Sequence, residues 1–333
     1  MTETTHLDRL VNWIKNNKFL AVVILAAIII SAVSQFAESV VRLVQIGRGM
    51  VSSTQSAGAT STKYKTLTFG GKGTGPGLFT DARNIAIDHR GRVVVVEWMR
   101  GRVQQFEPDG KFVGQWSIPL QEYDTVSGIS VDSTGTLYVA SGKDVWRYEE
   151  DTGKLLGKLT FDKKDIFEVT DVKTTPDGGV VLSWNPGGFD NYLVLFDSNH
   201  RVRRTLKNVL KPHLEGLIFN DEPDHLAIDG LGNIYVAARG GVAVFKFSAD
   251  GEFLNRFGSD GVEPGQLHNL QAIAANGKGD VFVSDVSGVQ VFDGSGRFLR
   301  RIDMEDWAMG MAFNNAGQLY AITDNNVIRF DSP

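Results

Sequence analysis

YKTLTF at residues 64–69 and NVIRFDSP at residues 326–333 together decide the fold. The first alternates polar and apolar side chains, as a half-buried strand does, yet no partner strand lies next to it in the chain. The second ends the chain as the third strand of a unit that elsewhere has four. YKTLTF resembles two fourth strands, FLNRF (253–257) and FLRRI (298–302). The adjoining segments also agree: GGKGTGPGLF (70–79) comes after YKTLTF, and GSDGVEPGQL (258–267) after FLNRF. The N-terminal strand is therefore predicted to complete the last unit and close a ring. Closure removes the strand edges that an open stack would expose.

Six copies of the unit can be read along the chain. Their first halves are NIAIDHRGRVVVVEW (84–98), GISVDSTGTLYVAS (128–141), DVKTTPDGGVVLSW (171–184), HLAIDGLGNIYVAA (225–238), AIAANGKGDVFVSD (272–285) and GMAFNNAGQLYAIT (310–323). Each carries a turn glycine between two apolar strands: Gly91, Gly135, Gly178, Gly232, Gly279 and Gly317. Four short strands per roughly 40–50 residues is the propeller period. The reading is all-β: a six-bladed β-propeller over 64–333.

Residues 19–37, FLAVVILAAIIISAVSQFA, carry no charge between Lys18 and Glu38. At helical rise they span about 28 Å, near the thickness of a bilayer's hydrocarbon core. An uncleaved single-pass transmembrane helix fits. So does a signal peptide cut after Ser34, although the long apolar run and the 18-residue preface favour the anchor. Arg9, Lys15 and Lys18 before the segment, against Arg42 and Arg48 after it, lean towards residues 1–18 being cytoplasmic and the propeller facing the periplasm or exterior. Residues 38–63 read as a helical extension followed by a Ser/Thr/Ala/Gly linker.

The 333 residues hold 37 Gly, 9 Pro and no Cys, which excludes disulfides and thiolate chemistry. Net charge is −5. Without the five basic and three acidic side chains of the first 50 residues, 29 basic side chains face 36 acidic ones. That balance argues against a nucleic-acid partner.

The phrase G-x-G-x-G-x-F/L followed by an apolar-Ala-apolar-Asp-x-x-Gly turn is similar to the NHL repeat, best at residues 73–97 and 224–237. The resemblance covers 64–333 and implies a six-bladed propeller. It leaves function open among RNA-binding and ubiquitin-ligase partners, sensor domains, peptide-amidating lyases and scaffolds.

Three features invite a chemical reading. GGKGTGPG (70–77) lacks the Gly-Lys-Ser/Thr of a phosphate loop and reads as a blade connection. The amidating lyases of this fold place histidines just before the innermost strands. The matching positions here are Arg83, Ser127, Thr170, Asp224, Gln271 and Met309, and none is His. The six histidines, His6, His89, His200, His213, His225 and His268, share no repeat position and read as loop residues. Lactonase-type propellers hold a central divalent ion through Glu, Asn and Asp. Glu97, Asp224 and Asp285 are the candidates, a thin set for six blades. No metal, cofactor or catalytic residue is assigned. The ring mouth remains as a ligand-binding candidate: Arg83, Glu97, Trp98, Ser127, Trp184, Asp224, Arg239, Gln271 and Asp285. Two Trp among charges suit a protein, peptide or carbohydrate ligand. The insertion 207–223 adds an apolar loop that can bind a partner or cover a mouth. The leading expectation is thus a membrane-held binding or scaffold module. The alternatives are a metal-using propeller hydrolase or lyase, and an RNA-binding propeller.

Overall fold

The structure is a computed structural model that describes residues 64–333, apart from Tyr123, Asp165, 186–190, 215–222 and 239–241, and without the side chains of 223, 224 and 238. The expected membrane segment, its flanks and residues 215–222 of the 207–223 insertion lie outside the described residues. Among the described residues no helix is long and apolar enough to cross a membrane.

Among the described residues, twenty-four strands form six antiparallel four-stranded sheets. Strand β1 (Lys65–Gly70) stands apart in sequence. Blade 1 is β2 (Ala82–Ile87), β3 (Val93–Glu97), β4 (Arg102–Phe106) and β5 (Phe112–Ser117). Blade 2 is β6 (Val126–Val131), β7 (Thr136–Ser141), β8 (Asp144–Glu149) and β9 (Leu155–Lys158). Blade 3 is β10 (Glu168–Thr174), β11 (Val180–Asn185), β12 (Tyr192–Phe196) and β13 (Val202–Lys207). Blade 4 is β14 (Pro223–Ile228), β15 (Ile234–Ala238), β16 (Val244–Phe247) and β17 (Phe253–Phe257). Blade 5 is β18 (Ala272–Ala275), β19 (Val281–Asp285), β20 (Gly288–Phe292) and β21 (Phe298–Ile302). Blade 6 has three consecutive strands, β22 (Gly310–Phe313), β23 (Leu319–Ile322) and β24 (Asn326–Asp331).

The fourth strand of blade 6 is β1, paired antiparallel with β24 from Lys65↔Asp331 to Gly70↔Asn326. This is the closure expected from YKTLTF. Phe69, Phe79 and Phe112 gather around Phe106, with ring centroids 5.1–5.9 Å apart, so the closing strand is also held by an aromatic cluster shared with blade 1.

The six turn glycines all take left-handed φ, between 77° and 88°. A Cβ is strained there, which is why glycine recurs at that position. In five blades an Asp or Asn three residues earlier caps the same turn. Its Oδ1 accepts the amides two and four residues on, as Asp132 does from Thr134 and Thr136. Asp88, Asp229, Asn276 and Asn314 repeat this bond pair.

Neighbouring blades pack through buried clusters. One joins Tyr138 and Val145 of blade 2 to Val172, Leu182 and Phe196 of blade 3. A fully buried side chain of this size contributes about 1.5–3 kcal/mol. Tyrosines tie blades together as well: the Tyr138 hydroxyl lies 3.0 Å from Asp132 Oδ2 and 2.7 Å from His200 Nε2 of the next blade.

Candidate functional site

The innermost strands β2, β6, β10, β14, β18 and β22 surround the axis. In each blade the chain enters at the start of the innermost strand. Strand starts, second-strand ends and blade-to-blade connections therefore share one face of the ring. The Asp-x-x-Gly turns lie on the other.

Blades 1–4 begin their innermost strands with the same irregularity. Pairing skips one residue between Ala82 and Asn84, Val126 and Gly128, Val169 and Asp171, and Pro223 and His225. These β-bulges set Arg83, Ser127, Thr170 and position 224 outside the strand register at the mouth. They are four of the positions singled out from sequence, and the bulges give a physical reason why that position can face the axis.

The mouth opens on a small cavity of about 30 Å³, lined on one side by Arg83, Asn84, Ser127, Asp171, Lys173 and His225 and on the other by Ile273, Met309 and Met311. The polar side is stitched from blade to blade. Asn84 Nδ2 donates to Val126 O at 2.8 Å, and Ser127 Oγ donates to Val169 O at 2.6 Å. Asp171 Oδ2 accepts the Leu226 amide at 2.8 Å. Its Oδ1 accepts the Val172 amide at 2.7 Å and Lys173 Nζ at 2.6 Å. Burial pushes the Asp171 carboxyl up, against the pull of Lys173 and the two amides. Gly128 is required beside it: a Cβ there would stand 2.2 Å from Asp171 Oδ1.

At the rim, the Arg83 guanidinium lies 4.0 Å from the centroid of the Trp98 ring. Two large apolar side chains on the same face are exposed: Met99 at 63% and Phe167 at 65%. Asp81, half-buried nearby, accepts the Met99 amide through Oδ2, and burial raises its carboxyl.

Other sequence candidates have internal tasks. Glu97 is buried and accepts Thr80 N at 2.7 Å and Arg102 Nη2 at 2.7 Å. Burial alone would raise it, but the Arg102 and Thr80 bonds outweigh that and hold it below the ordinary carboxylate range. Asp285, fully buried, accepts Ser287 N and Gln290 Nε2. The two acids brace twin loops. Gly77 N donates to Gln104 Oε1 and Gly265 N to Gln290 Oε1, and each loop closes a short parallel bridge, Lys72↔Phe79 and Asp260↔Leu267. The glycine-rich run is thus a blade connection, and the Gly73 amide donates to Phe79 O. Trp184 packs within blade 3 between Phe161 and Tyr192. Gln271 is buried and bonds to Asn269. Arg239 and the Asp224 side chain lie outside the described residues.

Sequence reasoning missed Asp171, Lys173 and Asn84. Asn84 and Asp171 each follow a bulge residue, and the bulges carry no signal in the sequence. A central divalent ion needs several hard oxygen ligands. Among the described lining residues the single carboxylate is Asp171. One carboxylate does not make such a set, so the described lining does not fit such an ion.

No family model matches the sequence, and no curated protein matches it. Solved structures do share the fold. A gluconolactonase of Xanthomonas campestris is similar over 76% of this chain and 87% of its own, at 19% identity and TM-score 0.56. A luciferin-regenerating enzyme is similar over 80% and 95%, at 13% identity and TM-score 0.59. A Bacteroides caccae protein of unknown function is similar over 69% and 82%, at 16% identity and TM-score 0.52. These likenesses establish a six-bladed propeller shared with such enzymes and, at this identity, the fold alone.

Proposed function

We propose that the protein is a membrane-anchored, extracytoplasmic propeller of NHL-like sequence that binds a peptide or protein segment across the mouth of its ring. The observation that carries this reading is the Arg83–Trp98 stack at the rim, on the same face as exposed Met99 and Phe167. An aromatic–cation platform beside apolar side chains suits a chain segment with an apolar residue next to an acidic one. The uncharged run 19–37 supports the anchor, which would raise the effective concentration of the ring near membrane partners.

A second reading has its own support. The likeness to a gluconolactonase fold favours a hydrolase acting on a lactone at the same mouth. The two part in one experiment. The full chain in detergent is screened against a displayed peptide library and, in parallel, assayed for hydrolysis of gluconolactone with and without chelator. Peptide binding that Trp98→Ala weakens at least about tenfold supports the binding module. Turnover with no peptide selected would overturn it in favour of the hydrolase.

A further inference from the structure

On the face opposite the mouth, the junction of blades 1 and 2 combines two features. In blades 2 and 4 the second oxygen of the turn aspartate receives a tyrosine hydroxyl six residues on, Tyr138 to Asp132 and Tyr235 to Asp229. In blade 1 the equivalent residue is Val94, which cannot donate. The facing turn of blade 2, Glu149-Glu150-Asp151-Thr152-Gly153, is one residue longer than its blade 1 counterpart, Glu107-Pro108-Asp109-Gly110. The longer turn brings Glu150 into the space that the missing tyrosine leaves.

Glu150 is 1% exposed. Its Oε1 is fixed by Arg92 Nη2, Arg90 Nη2 and Gln105 Nε2. Its Oε2 is buried with no hydrogen-bond partner. Ligand atoms of Asp88, His89 and Glu150 lie within 4.8 Å of one another. Among the described residues, no other three His or acidic side chains come this close. Asp88 Oδ1 is held by the amides of Arg90 and Arg92, and its Oδ2 by Arg92 Nε. Hydrogen bonds of this kind orient ligating carboxylates in metal sites. Three acids (Asp88, Glu150, Asp151) gather around two arginines (Arg90, Arg92) at this junction. His89 is exposed and gives access from solvent.

We propose that Asp88, His89 and Glu150 bind one divalent ion of the Zn²⁺ class between blades 1 and 2. Ligand atoms around a four-coordinate ion at about 2.1 Å stand about 3.4 Å apart, within reach of modest side-chain movement from the present spacing. Two carboxylates and one imidazole are a borderline-hard donor set, better matched to Zn²⁺ than to Ca²⁺ or Mg²⁺. The ion supplies what Oε2 lacks and links the two blades where the tyrosine bond is absent.

The test is a zinc titration of the full chain in detergent after chelator dialysis, read by calorimetry and by zinc content after gel filtration. One equivalent is expected, weakened at least about tenfold by His89→Ala and by Glu150→Gln. His268→Ala, at an exposed pair with Asp260, should leave it unchanged and controls for other histidines. Glu150→Gln keeps an oxygen for the arginines, and its melting curve confirms that it folds. Absence of stoichiometric zinc, or binding that survives both substitutions, overturns the proposal. So does a metal-free protein that Glu150→Gln stabilises with no zinc bound by the parent. That outcome would show that a proton shared between Glu150 and Asp88 fills the gap.

Discussion

Asp171 at the ring mouth and Glu150 at the junction of blades 1 and 2 are both buried carboxylates, and their surroundings are opposite. Asp171 has an ammonium and a backbone amide on one oxygen and an amide of the next blade on the other. Glu150 concentrates its donors on one oxygen and leaves the other bare. Burial raises both carboxyls, yet only the first has enough donors to make its charge structural. The difference teaches that a buried acid in this ring is informative through its unmet valence. The saturated one builds the scaffold, and the unsaturated one marks a place for something else.

The largest effect expected from this contrast is at Asp171. Asp171→Ala leaves Lys173 without its carboxylate and two amides without an acceptor, so chemical denaturation should show a loss of about 3 kcal/mol or more. Asp171→Asn, which keeps an acceptor, should lose about half as much. A loss no greater than that of an exposed aspartate such as Asp303 would break the comparison. Next comes Gly128→Ala. Its Cβ would stand 2.2 Å from Asp171 Oδ1 and 2.8 Å from Asp171 Cα, so a cost of about 1–3 kcal/mol is expected. In the Asp171→Asn background the cost should change, because the two sites touch.

Legibility in the sequence divides along the same line. The blades, the turn glycines and closure by residues 64–69 were readable because each is dictated by local chemistry that recurs six times. The mouth positions Arg83 and Ser127 were readable as a repeat position, although the bulges that expose them were not. Glu97 and Asp285 looked like axial ligands because strand ends point towards the mouth. Their bonds to Arg102 and Gln290 come from the next strand and cannot be seen from spacing alone. Glu150 was hidden for a different reason. Its arginine partners lie 58 and 60 residues away, and the signal is one extra residue in a turn.

Intermediate between the two carboxylates is His200, whose blade-to-blade bond can be titrated. Arg147 Nη1 donates to His200 Nδ1, so Nε2 carries the hydrogen and donates to Tyr138, whose hydroxyl then donates to Asp132. Burial and the nearby Arg147 lower the His200 pKa from 6.5. The folded state therefore resists protonation that the unfolded chain accepts. The contribution is fully present above pH 6.5 and is lost as pH falls through the folded value. Between pH 7.5 and 5.5 the parent should lose more melting temperature, or gain less, than His200→Asn, and the difference in slope isolates this ring. Asn tolerates the left-handed φ of 61° at this position. An unchanged slope would show that the junction of blades 2 and 3 is insensitive to this ring.

The smallest effect is expected at Glu150, and it tests the contrast most sharply. In chelator, Glu150→Gln retains the Oε1 bonds to Arg92 and Arg90 and gives Asp88 an N–H donor in place of the bare oxygen. One favourable charge interaction with arginine is exchanged for relief of an unsatisfied buried acceptor. The two nearly cancel, so stability should stay within about 0.5 kcal/mol of the parent. Asp171→Asn, chemically the same kind of change, removes a charge that every surrounding donor already serves, and nothing is relieved in return. If both substitutions cost the same, saturation does not distinguish these two acids, and the bare oxygen of Glu150 has no energetic meaning. If Glu150→Gln is neutral while Asp171→Asn is costly, stability resides in the stitched mouth, and the junction of blades 1 and 2 is held open for a ligand.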